Sequence, residues 1–238
     1  MMKKVRMGVI GCAGRGRGLS KAICACEEAE IVAVCDLHED RVEKEIGLKI
    51  EIISGDEEAE IGILGALGGQ DGAIIDIGGA STEIVVRKDA KILYKKSIDI
   101  GVVRLKDLCG RDKVALENVS RVALEEFGSV PKETIFYGIG GTATTLAAQN
   151  LGLLEYVSDK ITGTTISFEE VTVLADKFAA MSLEEIAALP CMPKGRADVI
   201  LGGAVLLATL MKTLGIGQIT VSDRDNLEGY AIKRGLME

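Results

Sequence analysis

Two carboxylates stand at the ends of a short glycine turn. In DIGGASTE, which begins at Asp76 and ends at Glu83, apolar runs precede and follow the turn. A glycine pair lets backbone amides approach a bound anion, and amides that converge on such a turn suit phosphate. Carboxylate oxygens suit Mg²⁺, so Asp76 and Glu83 are candidate metal ligands. The alternative is a plain hairpin with two surface acids. The candidate phosphate contacts are the amides of Gly78, Gly79, Ala80 and Ser81.

A second glycine turn leads into a predicted helix. An apolar strand over Ile135–Tyr137 is followed by Gly140, Gly141 and Thr142, and then by a predicted helix over Thr142–Asn150. The first turn of a helix offers free amides and the positive end of the helix dipole to an anion. Two such turns in one domain indicate a ligand that carries phosphates.

Both turns belong to a longer series of motifs. In order, these are DIGGASTEIV, SIDIGVVRL, GIGGTATTLAA, ISFEEV, MSLEEI, LPCMPKGRADVILGGA and ITVSDRDNLEGY. From about Ile46 to the C-terminus, the series resembles the exopolyphosphatase / guanosine pentaphosphate phosphohydrolase (Ppx/GppA phosphatase) family. That family belongs to the superfamily of actin, hexokinase and heat-shock chaperone ATPases. The chain departs from it at Ala80, where the family loop usually carries a third glycine.

The resemblance implies a function and a catalytic residue. It implies hydrolysis of terminal phosphoanhydride bonds, with inorganic polyphosphate or a phosphorylated guanosine nucleotide (guanosine pentaphosphate) as the substrate and Mg²⁺ as the cofactor. It also implies that Glu58, the second glutamate of the pair before Ala59, orients or deprotonates the attacking water. The acids around Glu58 would otherwise be explained as residues of a helix first turn, where the dipole favours them.

The first 44 residues follow another pattern. A strand over Lys4–Ile10, a glycine-rich turn, a helix and a strand over Glu30–Cys35 form a predicted βαβ unit. Residues 4–44 resemble the dinucleotide-binding start of the glucose–fructose oxidoreductase / inositol dehydrogenase family. Because Ala13 replaces the middle glycine of that fingerprint, NAD(P) is not expected to bind, and a βαβ unit without a ligand is favoured. The candidate dinucleotide contacts are Gly11, Gly14, Gly16 and Asp36.

These patterns predict an α/β protein with two lobes. Residues 1–69 are predicted to form a small parallel βαβαβα Rossmann-like lobe. Residues 70–238 are predicted to form a ribonuclease-H-like lobe. It starts with three antiparallel strands, which a turn at Gly101 follows, and it includes two helices capped by Ser167 and Ser182. The predicted strands are Ala73–Ile77, Glu83–Lys88 and Ile92–Ile98. The family's first phosphate loop, Asp-x-Gly-x-Asn-Ser, has no match in this sequence, which predicts impaired hydrolysis. Two other interpretations stay open: a non-catalytic phosphate- or nucleotide-binding module, and an NAD(P)-binding protein that uses residues 4–44.

Composition limits the partners. The 238 residues carry a net charge of −8 without a long basic run, which argues against a nucleic-acid partner. The strongly apolar stretch Ala204–Met211 is too short to span a bilayer, and the N-terminus lacks the apolar core of a signal peptide. Six scattered cysteines and one histidine favour buried thiols of a cytoplasmic protein over a zinc site. A homodimer is left open.

Two arginines lie near these motifs. Arg104, in the stretch Gly-Val-Val-Arg-Leu, is expected to form a surface ion pair. Arg196 and Asp198 stand two positions apart before a predicted buried helix over Arg196–Leu214, and they are expected to pair with each other.

Overall fold

The chain divides into two units. One comprises Met1–Gly65 with Asn226–Glu238, and the other comprises Ala66–Asp225. The structure is a computed structural model that describes residues 5–10, 22–23, 25–26, 29–35, 55–131 and 135–236. The predicted lobes differ from these units mainly in the placement of residues 226–238, which pack with the N-terminal part of the chain.

The described part of the first unit includes a parallel strand pair and two helices. Strands β1 (Val5–Ile10) and β2 (Ala29–Cys35) are parallel neighbours, and the Rossmann-like lobe predicted around them remains a prediction. Helix α1 (Gly55–Leu67) begins in this unit, and helix α9 (Asn226–Lys233) packs against it. The predicted dinucleotide contacts lie outside the described residues; these are Gly11, Gly14, Gly16 and Asp36.

A close contact holds α1 and α9 together. A methyl group at Gly229 of α9 would lie only 2.8 Å from the backbone nitrogen of Gly65 on α1. At the end of α9, the Lys233 ammonium pairs with Glu57 at 4.0 Å and with Glu60 at 3.8 Å. The two acids on either side of Glu58 therefore share one cationic partner.

The second unit is built on a six-stranded mixed sheet. Its order is β5-β4-β3-β6-β8-β7, and the first three strands are antiparallel, as predicted. Strand β6 joins β3 in parallel, β8 joins β6 in parallel, and β7 closes the far edge in the antiparallel direction. The strands are β3 (Gly72–Ile77), β4 (Thr82–Lys88), β5 (Lys91–Ile98), β6 (Phe136–Ile139), β7 (Thr165–Ser167) and β8 (Gln218–Val221).

Seven helices of the second unit complete its described part. They are α2 (Val102–Cys109), α3 (Lys113–Leu124), α4 (Gly140–Asn150), α5 (Ser158–Ile161), α6 (Phe168–Ala180), α7 (Leu183–Ala187) and α8 (Ile200–Leu214), and a 3-10 turn (Glu125–Phe127) follows α3. Polar caps start three of them. Asp112 accepts bonds from two amides of the first turn of α3, while Ser167 and Ser182 form capping boxes at α6 and α7.

Helix α8 is the centre of the core of this unit. Ten of its residues are buried, and it packs against α3 and α6. Isoleucine, leucine, valine and alanine dominate the apolar cluster around it, in line with a sequence that has no tryptophan and only four phenylalanines and four tyrosines. Gly215 ends the helix in the left-handed conformation, with φ of 69°.

Three features differ from the sequence prediction. Helix α2 occupies the segment after Gly101, where only a turn was predicted, and the short strand β7 was not predicted. Helix α8 begins at Ile200, so Arg196 lies in the turn before it rather than within it. Among the described helices, none is both long enough and apolar enough to cross a membrane.

Candidate functional site

The candidate site lies at the carboxyl edge of the second unit's sheet. Strands β3, β6 and β8 are parallel neighbours, so the turns that follow them meet at one edge. These turns are residues 78–81, 140–142 and 222–225. Ligands of open α/β sheets bind at this edge because loops from neighbouring strands converge there. The two glycine turns singled out in the sequence are thereby brought side by side.

Asp76 and Glu83 face each other across two strands. They are directly paired residues of the antiparallel β3 and β4, and such pairs have Cβ atoms about 5 Å apart. The Glu83 Oε1 atom accepts a 2.6 Å hydrogen bond from Ser97 Oγ. The Asp76 carboxylate has no hydrogen bond or ion pair with another described residue. Its Oδ1 atom lies beside Gly140, where a Cβ would be only 2.6 Å away.

The environment of Asp76 disfavours its charge. Burial, together with the negative charges of Glu83 and Asp225, raises the pKa of Asp76 from 3.8 to about 7. A bound cation would reverse this effect, so the pair fits a divalent metal. Within residues 55–131 and 135–236, no group of three metal-ligating side chains comes together. The remaining ligands of Mg²⁺ would therefore be substrate oxygens and water, as is usual for this ion.

Replacing Asp76 by Asn is expected to stabilise the metal-free protein at alkaline pH. The folded-state pKa is raised, so the protonated carboxyl stabilises the fold fully below about pH 4, and this contribution is lost as the pH rises through 7. At pH 8, Asp76→Asn should raise the free energy of unfolding by up to about 4 kcal/mol. Urea unfolding in EDTA at pH 8 and at pH 4 measures this. Equal free energies of unfolding for Asp76→Asn and the unsubstituted chain at pH 8 would contradict this prediction.

The first glycine turn presents three free amides. The Gly78 amide donates to Ser81 O at 3.0 Å, so it closes the turn and is not available to a ligand, contrary to its predicted role. In the described part of the chain, the amides of Gly79, Ala80 and Ser81 have no acceptor. Ala80 does not have a positive φ, so its methyl group is compatible with the turn that the family builds with glycine.

The start of helix α2 is hydrogen-bonded to the carbonyl oxygens of this turn. Val102 N donates to Gly78 O at 3.0 Å, and Val103 N donates to Gly79 O at 2.8 Å. Gly101 lets the helix approach, since a Cβ there would lie 2.6 Å from the Gly79 carbonyl oxygen. Because amides of α2 donate to the carbonyl oxygens of Gly78 and Gly79, the N–H groups of the turn remain available to an anion.

The second glycine turn is the start of α4. Gly140 has φ of 73°, and no side chain caps the helix, so its first amides lack a side-chain acceptor. Thr142 is buried, and its hydroxyl donates to Ile77 O at 3.0 Å, which ties this turn to the end of β3. The amide contacts of Gly140, Gly141 and Thr142 with phosphate remain predictions, while the Thr142 side chain has a structural bond.

Arg196 lies beside the second glycine turn, a position that the sequence prediction missed. Its guanidinium lies over Gly141: a Cβ added there would be 2.8 Å from Arg196 Cζ. The predicted pairing of Arg196 with Asp198 is wrong, because Asp198 pairs with Lys106 of α2. The Arg196 guanidinium has no ion pair or hydrogen bond with another described residue. The expected surface pair of Arg104 is confirmed, with Asp99 at 3.6 Å.

The predicted catalytic residue Glu58 lies in the first turn of α1, as the sequence indicated. Its neighbours Glu57 and Glu60 are paired with Lys233. The role of Glu58 remains a prediction.

Known proteins match most of this chain. Residues 38–235 match the model of the Ppx/GppA phosphatase family. Exopolyphosphatase 2 of Mycobacterium tuberculosis is 37% identical over 205 residues, which are 78% of this chain and 64% of that protein. The guanosine-5'-triphosphate,3'-diphosphate pyrophosphatase of Pseudoalteromonas translucida is 25% identical, over 90% of this chain and 44% of its own. The chain thus spans less than two thirds of either relative.

The fold is also shared with a solved structure. The crystal structure of the Aquifex aeolicus Ppx/GppA family member has a TM-score of 0.78 and 23% identity, over 92% of this chain and 78% of its own. That coverage extends into residues 4–44, so part of this segment belongs to the shared fold. The resemblance of the segment to the oxidoreductases is not supported. From residue 38 onward, the chain belongs to the Ppx/GppA phosphatase family.

Proposed function

We propose that this chain hydrolyses the terminal phosphoanhydride bond of a linear polyphosphate or of guanosine pentaphosphate. The observation that carries the proposal is the group at the start of α4: an uncapped helix start, an unpaired guanidinium above Gly141, and a partly buried carboxylate beside Gly140. Free amides and a guanidinium suit phosphate oxygens. The names of the relatives support the same substrates.

Each residue of the proposed site has a separate role in the reaction. Water attacks the terminal phosphorus, and the bridging P–O bond breaks with its electron pair going to the oxygen of the shortened polyphosphate or nucleotide. The products are that shortened chain and orthophosphate. Glu58 would accept the proton of the attacking water. The amides of Gly79, Ala80 and Ser81, together with the start of α4, would orient the phosphates, and Arg196 would bind their oxygens in its planar fork. Mg²⁺ held by Asp76 and Glu83 would offset charge on the phosphate oxygens.

The direct test is phosphate release. The purified chain is incubated with a polyphosphate of defined length, and separately with guanosine pentaphosphate, with Mg²⁺ or with EDTA. Release that requires Mg²⁺ supports the proposal. Binding of either compound without release would instead support a non-catalytic phosphate-binding module, an alternative that the missing Asp-x-Gly-x-Asn-Ser motif favours.

Replacing Arg196 by Ala is expected to raise KM. A hydrogen bond to a charged group contributes about 1.5–3 kcal/mol, which corresponds to about a 10- to 100-fold change in KM. Arg196→Lys keeps the charge without the planar fork and should recover only part of the loss. Steady-state kinetics over a range of substrate concentrations measures this.

The matched control for this prediction is Arg121→Ala. Arg121 is an exposed arginine of α3 that pairs with Glu125 at 3.7 Å. The KM of Arg121→Ala should stay within about twofold of that of the unsubstituted chain, because exposed ion pairs contribute little free energy. A KM of Arg196→Ala equal to that of the control would remove Arg196 from the site.

A further inference from the structure

Asp198 is the natural competitor for the Arg196 guanidinium. It stands two residues away in the same turn and carries the opposite charge. One of its carboxylate oxygens, Oδ1, is buried and has no hydrogen bond. Buried acceptors usually have partners, so this atom could take a further donor. A carboxylate paired with Arg196 would occupy the group that we assign to phosphate.

Lys106 of α2 holds this carboxylate instead. Its ammonium pairs with Asp198 Oδ2, and this hydrogen bond raises the pKa of Lys106. The contact spans 92 positions of the chain. It links the helix that holds the first glycine turn to the turn that carries Arg196.

We propose that Lys106 is a positioning residue for phosphate recognition: by pairing with Asp198, it leaves the Arg196 guanidinium free above Gly141. This rests on the proposed function, since it assumes that Arg196 binds phosphate. Without Lys106, the Asp198 carboxylate turns to Arg196 and competes with the anion. Lys106 therefore acts through Asp198 and does not itself touch the substrate.

The inference predicts a rescue. Lys106→Met removes the charge and keeps an unbranched side chain, and it should weaken anion binding about tenfold, the scale of one charged hydrogen bond. Asp198→Asn in the same chain removes the competing charge, so the double variant should bind within about threefold of the original. Lys106→Arg keeps the pair and should bind normally.

Calorimetric titration with tripolyphosphate in EDTA measures these affinities without any need for turnover. Lys113→Met is the control, because Lys113 also forms ion pairs, with Glu117 at 2.7 Å and Asp176 at 3.0 Å, outside the candidate site. A thermal melt of each variant reports its folding. Asp198→Asn would also relieve destabilisation by an unpaired carboxylate. The titrations are therefore made well below the lowest melting temperature, where every variant is folded and the competition for Arg196 alone changes the affinity.

The outcomes separate this inference from the proposed function. If Lys106→Met binds like the original, or if the double variant binds as weakly as Lys106→Met, the inference is wrong while hydrolysis can still stand. If the original binds tripolyphosphate but releases no phosphate with Mg²⁺, hydrolysis is wrong and the rescue still decides the inference. If the unsubstituted chain does not bind tripolyphosphate at millimolar concentration, the inference is overturned, because Arg196 then does not bind the anion.

Discussion

Glu58→Gln is expected to lower kcat about a hundredfold or more. The amide keeps the size and shape of the side chain but cannot accept a proton, and general-base catalysis contributes about 10²–10⁴ to rates. The groups that we propose to bind the substrate belong to the second unit, so KM should change little. Initial rates of phosphate release at saturating substrate and Mg²⁺ measure the loss.

Glu57→Gln is the matched control. Glu57 is the adjacent glutamate, and it pairs at 4.0 Å with Lys233, which also pairs with Glu60. Because exposed pairs of this kind contribute about 0–1 kcal/mol, the control should keep its rate and its melting temperature. An unchanged kcat in Glu58→Gln, or an equal loss in both variants, would end the assignment of Glu58.

The sheet of the second unit could be predicted closely from the sequence. The predicted strands Ala73–Ile77, Glu83–Lys88 and Ile92–Ile98 differ from the observed ones by one residue at the N-terminal end. Apolar runs separated by glycine-rich or polar turns are local signals, and they specify such hairpins. The serine caps at Ser167 and Ser182 were equally local, since each caps a helix with a glutamate three residues later.

Helix α2 was missed because its start carries no local signal. Gly101 has no side chain with which to cap it, and no acid follows in the first turn. The carbonyls of Gly78 and Gly79 satisfy the first amides of the helix instead. Those residues lie more than twenty positions earlier in the sequence, so this cap exists only once β3 and β4 have folded.

The position of Arg196 beside the second glycine turn was missed for a related reason. Opposite charges two positions apart suggested a pair with Asp198, but the partner of Asp198 is Lys106 on another helix. The two glycine turns and the acids beside them could be predicted because each is contiguous in the sequence. The position of the guanidinium beside the second turn depends on how α8 and α2 pack, which no local pattern in the sequence indicates.

Gly140→Ala is expected to lower kcat/KM about a hundredfold or more. Gly140 has φ of 73°, where an alanine is strained. Its new methyl group would also stand 2.6 Å from Asp76 Oδ1, closer than any real contact of a Cβ. Either the carboxylate or the start of α4 must move. Both belong to the proposed site, and loss of one preorganised group costs about 10²–10³ in rate.

A second glycine distinguishes the effect of backbone strain at a positive φ from the effect of displacing Asp76 or the start of α4. Gly152 also has a positive φ, of 62°, but a methyl group there would meet nothing within 4 Å. Gly152→Ala should therefore lose about 1 kcal/mol of stability and keep its activity. Gly140→Ala should lose stability and activity. Steady-state kinetics with a polyphosphate substrate, alongside urea unfolding in EDTA, measures the two effects. If the two variants lost stability equally and both kept their activity, the contact between Gly140 and Asp76 would have no part in catalysis.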